Sequence, residues 1–323
     1  MRKLIIGFIL NLLVCAYSQA NMGTMWFDRM SQAITQRDYQ GTYIIRDANE
    51  LFSYYLQHTN KNNNTIDRIV QLDEDGIEVI STPLAITQYI PHNSKYKSNH
   101  IIKASPFSIF NNLSSSQLAK SYTFKLMPKE RICGYQAVVV QLISDKWRNR
   151  YKIWIDQHSA LPLKVTVMDE YNTVIKEFRF VDLDIKQIGE NIELPDNYPN
   201  KENHSIIKRT KITQSNNNFT AQDIPISPVT WKPDNFTLIS SGQIKSSQED
   251  YLNYTYSDGL NTFSILVSDS PVKQQNKNKE SSTTIGATNI LISNKDQKLI
   301  SILGEVPIQT LKKIAHSVEF ITP

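Results

Sequence analysis

Hydrophobic and polar positions alternate with a period of two through much of the chain, the pattern of strands that bury one face. Tyr151, Ile153 and Ile155 alternate with Lys152, Trp154 and Asp156, and Leu163, Val165 and Val167 with Lys164 and Thr166. Phe178 and Phe180 alternate with Glu177 and Arg179. Shorter β-rich runs begin at Gly41, Leu51, Ile66, Glu78, Ala85 and Ala137, and Asp73-Glu74-Asp75-Gly76 reads as a hairpin turn between two of them. Many short strands joined by tight turns predict a large antiparallel sheet. Helical spacing is rarer. Trp26, Met30, Ala33 and Ile34 share one face, opposite Asp28, Arg29, Gln32 and Gln36, so an amphipathic helix of about three turns opens the domain. Phe107, Phe110, Leu113 and Leu118 fit one or two short helices over residues 107–120.

The pattern breaks at residues 196–228, where Asn, Lys, Ser and Thr dominate around Pro199, Pro225 and Pro228. This stretch reads as a connection, with room for some strand at its start. A second domain begins near Trp231. Leu252, Tyr254 and Tyr256 run into Ser257-Asp258-Gly259, and Phe263, Ile265 and Val267 return, which is a strong hairpin signal. Residues 270–284 are polar and are expected to form a loop. Strands at 290–293 and 299–303 then precede a helix that starts near Pro307 and buries Ile308, Leu311, Ile314, Ala315 and Val318. The expected layout is residues 21–198, a connection over 199–229, and a smaller sheet-and-helix domain over 230–323. The fold class is α+β.

The first twenty residues differ from everything after them. Met1-Arg2-Lys3 is cationic, residues 4–14 are an apolar run, and Ser18-Gln19-Ala20 offers small residues for cleavage. That is the layout of a secretory signal cut after Ala20. The run is shorter than the ~20 residues a membrane span needs. Cys15 after Leu12-Leu13-Val14 offers a rival reading as an acylation site, but the bulky Val14 argues against it. The formal net charge is +4, and Arg2 and Lys3 in the leader supply two of those charges. A near-neutral exported chain is a poor nucleic-acid binder. Past the leader, Cys133 is the single cysteine, so no internal disulfide forms; it is expected as a small buried residue in a strand.

No catalytic constellation emerges. There is no Gly-x-Ser-x-Gly elbow, no His-Glu-x-x-His, no Cys-x-x-Cys and no phosphate-cradling glycine loop. His58, His92, His100, His158, His204 and His316 are scattered without metal-ligand spacing. Neither a metal nor a cofactor is implied. Two stretches mix cations with aromatics: Lys95, Tyr96, Lys97 and Lys103, and, more densely, Lys146-Trp147-Arg148-Asn149-Arg150. Each is either a solvated turn or a rim for anionic groups, with Lys146, Arg148 and Arg150 as the candidate rim.

Several strings then combine. Trp26-x-x-x-Met30-x-x-Ala33 precedes Tyr39-Gln40-Gly41-Thr42-Tyr43; Gly134-Tyr135-Gln136-Ala137, Arg150-Tyr151-x-x-Trp154-x-Asp156 and Ala160-Leu161-Pro162-Leu163-Lys164 follow. In the second domain stand Tyr256-Ser257-Asp258-Gly259-Leu260, Phe263-Ser264-Ile265, Gly286-Ala287 and Gly304-Glu305-Val306-Pro307. In this order the chain resembles the sigma-E factor regulatory proteins of the RseB/MucB type. The resemblance implies a lipoprotein-carrier-like first domain, a strongly curved antiparallel sheet covered by helices over an apolar cavity, with a smaller domain beside it. It implies a periplasmic negative regulator that binds the periplasmic segment of a membrane-spanning anti-sigma factor of the RseA/MucA type and shields it from proteolysis. Lipopolysaccharide or lipoprotein acyl chains are the implied releasing ligand. A homo-oligomer is left open.

Within that reading, Tyr254, Tyr256, Asp258 and Phe263 on the strongest second-domain hairpin are the candidate partner contacts, with ordinary core as the rival fate of the aromatics. Tyr43, Trp154, Val165 and Phe178 are the candidate lipid groove, with the same rival. Two other functions compete. A periplasmic lipid or lipoprotein carrier would need no second domain. An exported hydrolase would need a nucleophile with a basic partner in a cleft.

Overall fold

The opening amphipathic segment forms a helix, α1, over residues 22–36. Trp26, Phe27, Met30, Ala33 and Ile34 are all buried, and Phe27 meets Phe110 and Phe124 edge-on. The computed structural model of the protein describes residues 22–61, 64–73, 76–94, 105–111, 113–186, 204–210, 228–244, 250–268 and 280–319. The leader with Cys15, the cluster Lys95, Tyr96, Lys97 and Lys103, and most of residues 196–228 lie outside them.

The alternating segments pair as one antiparallel sheet. Its strands are β1 (Tyr39–Asp47), β2 (Glu50–Lys61), β3 (Asn64–Gln71), β4 (Glu78–Ser81), β5 (Ala85–Pro91), β6 (Thr123–Ile132), β7 (Tyr135–Ile143), β8 (Arg150–Asp156), β9 (Pro162–Met168), β10 (Val174–Ile185) and β11 (His204–Thr210). Their order is β11-β5-β4-β3-β2-β1-β10-β9-β8-β7-β6, so the sheet is open, with β11 and β6 at its edges. Two meanders meet at the β1–β10 pair, where Tyr39 opposes Ile185. A bulge in β10 shifts that register between Thr42 and Tyr43. Gly41 sits beside it because a Cβ there would lie 2.2 Å from the Asp182 carbonyl oxygen. Between β5 and β6 the chain supplies a 3-10 turn (Ser108–Phe110) and a four-residue helix, α2 (Ser115–Leu118), with a Ser114–Gln117 capping box. With α1, these pieces cover one face of the curved sheet. Phe107 packs on Tyr39, Phe178 and Phe180 from opposite halves of the β1–β10 seam, and all four are buried in one core.

The second sheet comprises β12 (Thr237–Ile244), β13 (Tyr251–Ser257), β14 (Thr262–Ser268), β15 (Ser281–Ile285), β16 (Thr288–Lys295) and β17 (Lys298–Gly304), in the order β12-β13-β14-β17-β16-β15. Helix α3 (Ile308–Ser317) packs on it through Leu311, Ile314 and Ala315, closing a core with Tyr254, Tyr256, Phe263 and Ile302. The helix is positioned by Pro307, which fixes its own φ near the helical value and has no N–H to leave unpaired.

Two local readings change, those of residues 270–284 and of Cys133. The polar stretch 270–284 ends in a strand, since Ser281–Ile285 pairs with Thr288–Ile292 as an exposed edge whose polar side chains need no buried face. The strand allowed for in the early part of the connection is β11, whose Ile207 reaches back to the first core. Cys133 is in a turn and half-buried. It and Gly134 have φ of 49° and 81°, the geometry of a two-residue hairpin loop joining β6 to β7.

Candidate functional site

A cavity of about 280 Å³ opens between the β1–β10 seam and the segment before the 3-10 turn. Its apolar wall is Tyr43, Phe52, Tyr54, Val165, Val167 and Phe178, and Leu260 and Glu305 of the second domain complete it. Strand alternation puts Tyr43, Tyr54 and Phe178 side by side, with Tyr43 5.2 Å from Tyr54 in a stacked pair and 5.1 Å from Phe178. Burial pushes the Tyr43 phenol well above its ordinary value near 10, so it stays neutral throughout the physiological range. The charged end holds Asp47, Lys176, Glu177 and Glu305. Lys176 Nζ lies 3.0 Å from Glu305 Oε1, across the domain boundary, and 4.0 Å from Asp47. Glu177 is held instead by Lys164 at 3.0 Å and Arg46 at 3.8 Å.

Three of the four expected groove residues, Tyr43, Val165 and Phe178, line this cavity. Trp154 does not. It pairs with Lys164 on the opposite face of β8, where its indole N–H donates to Glu130 at 2.8 Å and Lys152 and Lys164 flank the ring. The alternation shared by Tyr151 and Ile153 is what sends Trp154 the other way. That indole hydrogen bond holds the Glu130 carboxyl below its usual range.

The domain boundary beside the cavity is polar and buried. Asp145 organises the β7–β8 turn by accepting the Trp147 N–H at 3.0 Å and Arg148 Nη1 at 2.6 Å. Arg148, 1 % exposed, then crosses the boundary. Its Nε donates to Asp258 Oδ2 at 2.9 Å, its Nη2 donates to the Asp234 carbonyl, and its guanidinium lies over Phe236. Asp258 divides its oxygens. Oδ1 accepts the Leu260 and Asn261 N–H groups of its own turn, at 3.0 and 2.8 Å, while Oδ2 takes Arg148 and the Tyr122 hydroxyl. Tyr151 OH donates to the Leu260 carbonyl at 3.2 Å, and Asn149 to the Glu305 carbonyl at 2.9 Å. Burial, with a smaller contribution from Asp258, raises the Tyr122 phenol; burial, then Glu305, raises Tyr151. Gly259, at φ +104°, brings its backbone against Leu113 and Leu118, where a Cβ would be 3.2 Å from Leu113 Cδ2. Farther along, Trp147 and Trp231 meet at 5.1 Å with Lys313 over both rings.

The remaining expected site residues therefore fall as follows. Arg148 is sealed in the boundary. Arg150 donates to Asn172 at 2.9 Å, and Lys146 lies over Trp147 at the surface. Tyr254, Tyr256 and Phe263 are buried in the second core, where Phe263 packs between Phe236 and Tyr256, and Asp258 is spent on Arg148. The residues missed from sequence are Lys176, Glu305, Tyr151 and Leu260. The local signal was present for Lys176, two residues before Phe178 on the same strand face. Among the described residues, no group of three or more His, Cys, Asp or Glu is placed to hold a metal ion. None of their helices is long and apolar enough to cross a membrane.

The fold and site define a two-domain binding protein, an open β-sheet whose cavity is completed by a smaller sheet-and-helix domain. The MucB/RseB N-terminal domain model matches residues 23–201 and the MucB/RseB C-terminal domain model matches residues 227–319, so the chain belongs to the MucB/RseB family. It is 26% identical to the sigma-E factor regulatory protein RseB of Haemophilus influenzae, over 91% of this chain and 90% of that one. It is 23% identical to the sigma factor AlgU regulatory protein MucB of Pseudomonas aeruginosa, over 95% and 94%. The solved complex of P. aeruginosa MucA and MucB superposes with a TM-score of 0.72 at 21% identity, covering 93% of this chain and 99% of that one.

Proposed function

We propose that the protein is a periplasmic negative regulator that binds the periplasmic segment of a membrane-spanning anti-sigma factor and protects it from regulated proteolysis. One observation carries this reading. Both family domains are present in order and the likeness extends along nearly the whole of relatives named as sigma-factor regulators, one of them solved with MucA. The protein acts by binding, with no bond made or broken. The amino-terminal leader serves export and is removed after Ala20, and residues 21–198 and 230–323 are the two working units.

The cavity supports an acyl ligand as the releasing signal. Its volume falls just under the about 300–1,000 Å³ of small-molecule sites, which suits a single chain. Burying ten methylenes at about 0.8 kcal/mol each gives roughly 8 kcal/mol gross, enough to bias an equilibrium between two domain arrangements. A carrier reading explains the cavity but leaves the second domain, with its buried boundary, unused.

The test is retention and protection. Purified protein is mixed with the periplasmic segment of the anti-sigma factor from the same organism and challenged with the cognate regulatory protease. Stable co-elution and slowed cleavage support the regulator. Cleavage at the same rate with and without the protein would overturn it. Retention of lipoproteins in place of the anti-sigma factor would favour the carrier.

A further inference from the structure

Lys176 and Glu305 stand where two functions of the molecule meet. Both line the cavity, and their 3.0 Å ion pair joins β10 of the first domain to the turn after β17 of the second. Their side chains are 23% and 29% exposed, so water and an incoming head group can reach the pair. Water competes for both partners of such a partly exposed pair, so the pair contributes little to stability. An anion brought to Lys176 by a chain buried in the cavity therefore competes on favourable terms. The Arg148–Asp258 pair on the same boundary is 1% and 0% exposed and has no such access.

We propose that Lys176 is an exchangeable cation that pairs either with Glu305 across the domain boundary or with the acidic head group of an acyl ligand. The ligand class is a single-chain anionic amphiphile, tail against Tyr43, Val165 and Phe178, head at Lys176. This rests on the acyl-ligand reading of the cavity and adds its polar specificity and its route to the domain contact. Charge balance around Lys176 gives the exchange its direction. Glu177 is already matched by Lys164 and Arg46, while Asp47 is 4.0 Å from Lys176 and Glu305 is 3.0 Å away. A third anion at Lys176 must displace one of these two. Glu305 is the one across the domain boundary, whereas Asp47 is the register partner of Lys176 in the same sheet. Displaced, Glu305 faces the ligand's like charge, and Leu260 loses its seat as part of the cavity wall.

The experiment compares dodecanoate with dodecanol by calorimetry on the full chain, and follows the domains by small-angle scattering. Wild-type protein is expected to bind dodecanoate at least tenfold more tightly than dodecanol, and only dodecanoate should increase the radius of gyration. Lys176→Gln should equalise the two probes, and Glu305→Gln should tighten dodecanoate severalfold. Equal binding of both probes by wild type, or a charge preference that survives Lys176→Gln, overturns the exchange while leaving the cavity reading intact. Binding of neither probe overturns the cavity reading and the exchange with it.

Discussion

The domain boundary has two ends, and they are built differently. At one, Arg148 and Asp258 are sealed from water, all three guanidinium nitrogens of Arg148 donate and both oxygens of Asp258 accept. At the other, Lys176 and Glu305 face a cavity. Both are ion pairs of about 3 Å, so distance does not separate them; solvent does. A buried pair is costly to split because each charge is left without water, whereas an exposed pair has water as a ready substitute. The boundary thus combines a fixed point with a point of exchange.

The sharpest way to break this comparison is at the fixed end. Arg148→Ala leaves Asp258 buried without its cation and is expected to cost about 3–5 kcal/mol. In a urea titration followed by circular dichroism it should lower the midpoint and separate the two domains into distinct transitions. Pairing Arg148→Met with Asp258→Leu should restore much of that loss, since removing both charges leaves nothing uncompensated. A single mutant with the wild-type midpoint would show that the pair is not sealed in solution.

Alkaline titration probes the same end more gently. Tyr122 and Tyr151 have phenols raised well above 10, mainly by burial. The unfolded chain releases those protons first, so the folded state holds more protons above pH ~10 and stability must fall as pH rises from there. Each such phenol contributes a slope of up to about 1.4 kcal/mol per pH unit. Thermal melts between pH 8 and 11 should be flat in this respect up to about pH 10 and then decline. Tyr122→Phe should shallow the decline.

The exchange end predicts a smaller effect on stability. Glu305→Gln should change unfolding free energy by no more than about 1 kcal/mol. Lys146→Ala, at an exposed position two residues before Arg148, should stay within about 0.5 kcal/mol. If Lys146→Ala rivalled Arg148→Ala, the contrast between sealed and open charges would fail.

Much of the architecture was legible from periodicity because strands and amphipathic helices write their burial into neighbouring residues. The Tyr254/Tyr256 and Phe263 hairpin is a case in point. Whether those aromatics face a partner or a core was not legible, because the rest of that core comes from segments distant in sequence, Phe236 before β12 and Leu311 and Ile314 of α3. The cavity wall was read better than the boundary. Tyr43, Val165 and Phe178 share the inner face of adjacent strands, a property alternation reveals. Arg148 and Asp258 are 110 positions apart, and each is in a turn, where alternation says nothing about direction. Lys146, Arg148 and Arg150 look like one row in the sequence, yet the turn organised by Asp145 sends them to three different surroundings.

The strand order carries a consequence for how the chain acquires its shape. Tyr39 in β1 finds its partner Ile185 in β10 only after every strand from β2 to β9 has been made. The other pairings within each meander join sequence neighbours, so this closure is a slow, non-local step. The second sheet also has one long-range join, β14 to β17, but it closes a much shorter loop and should form sooner.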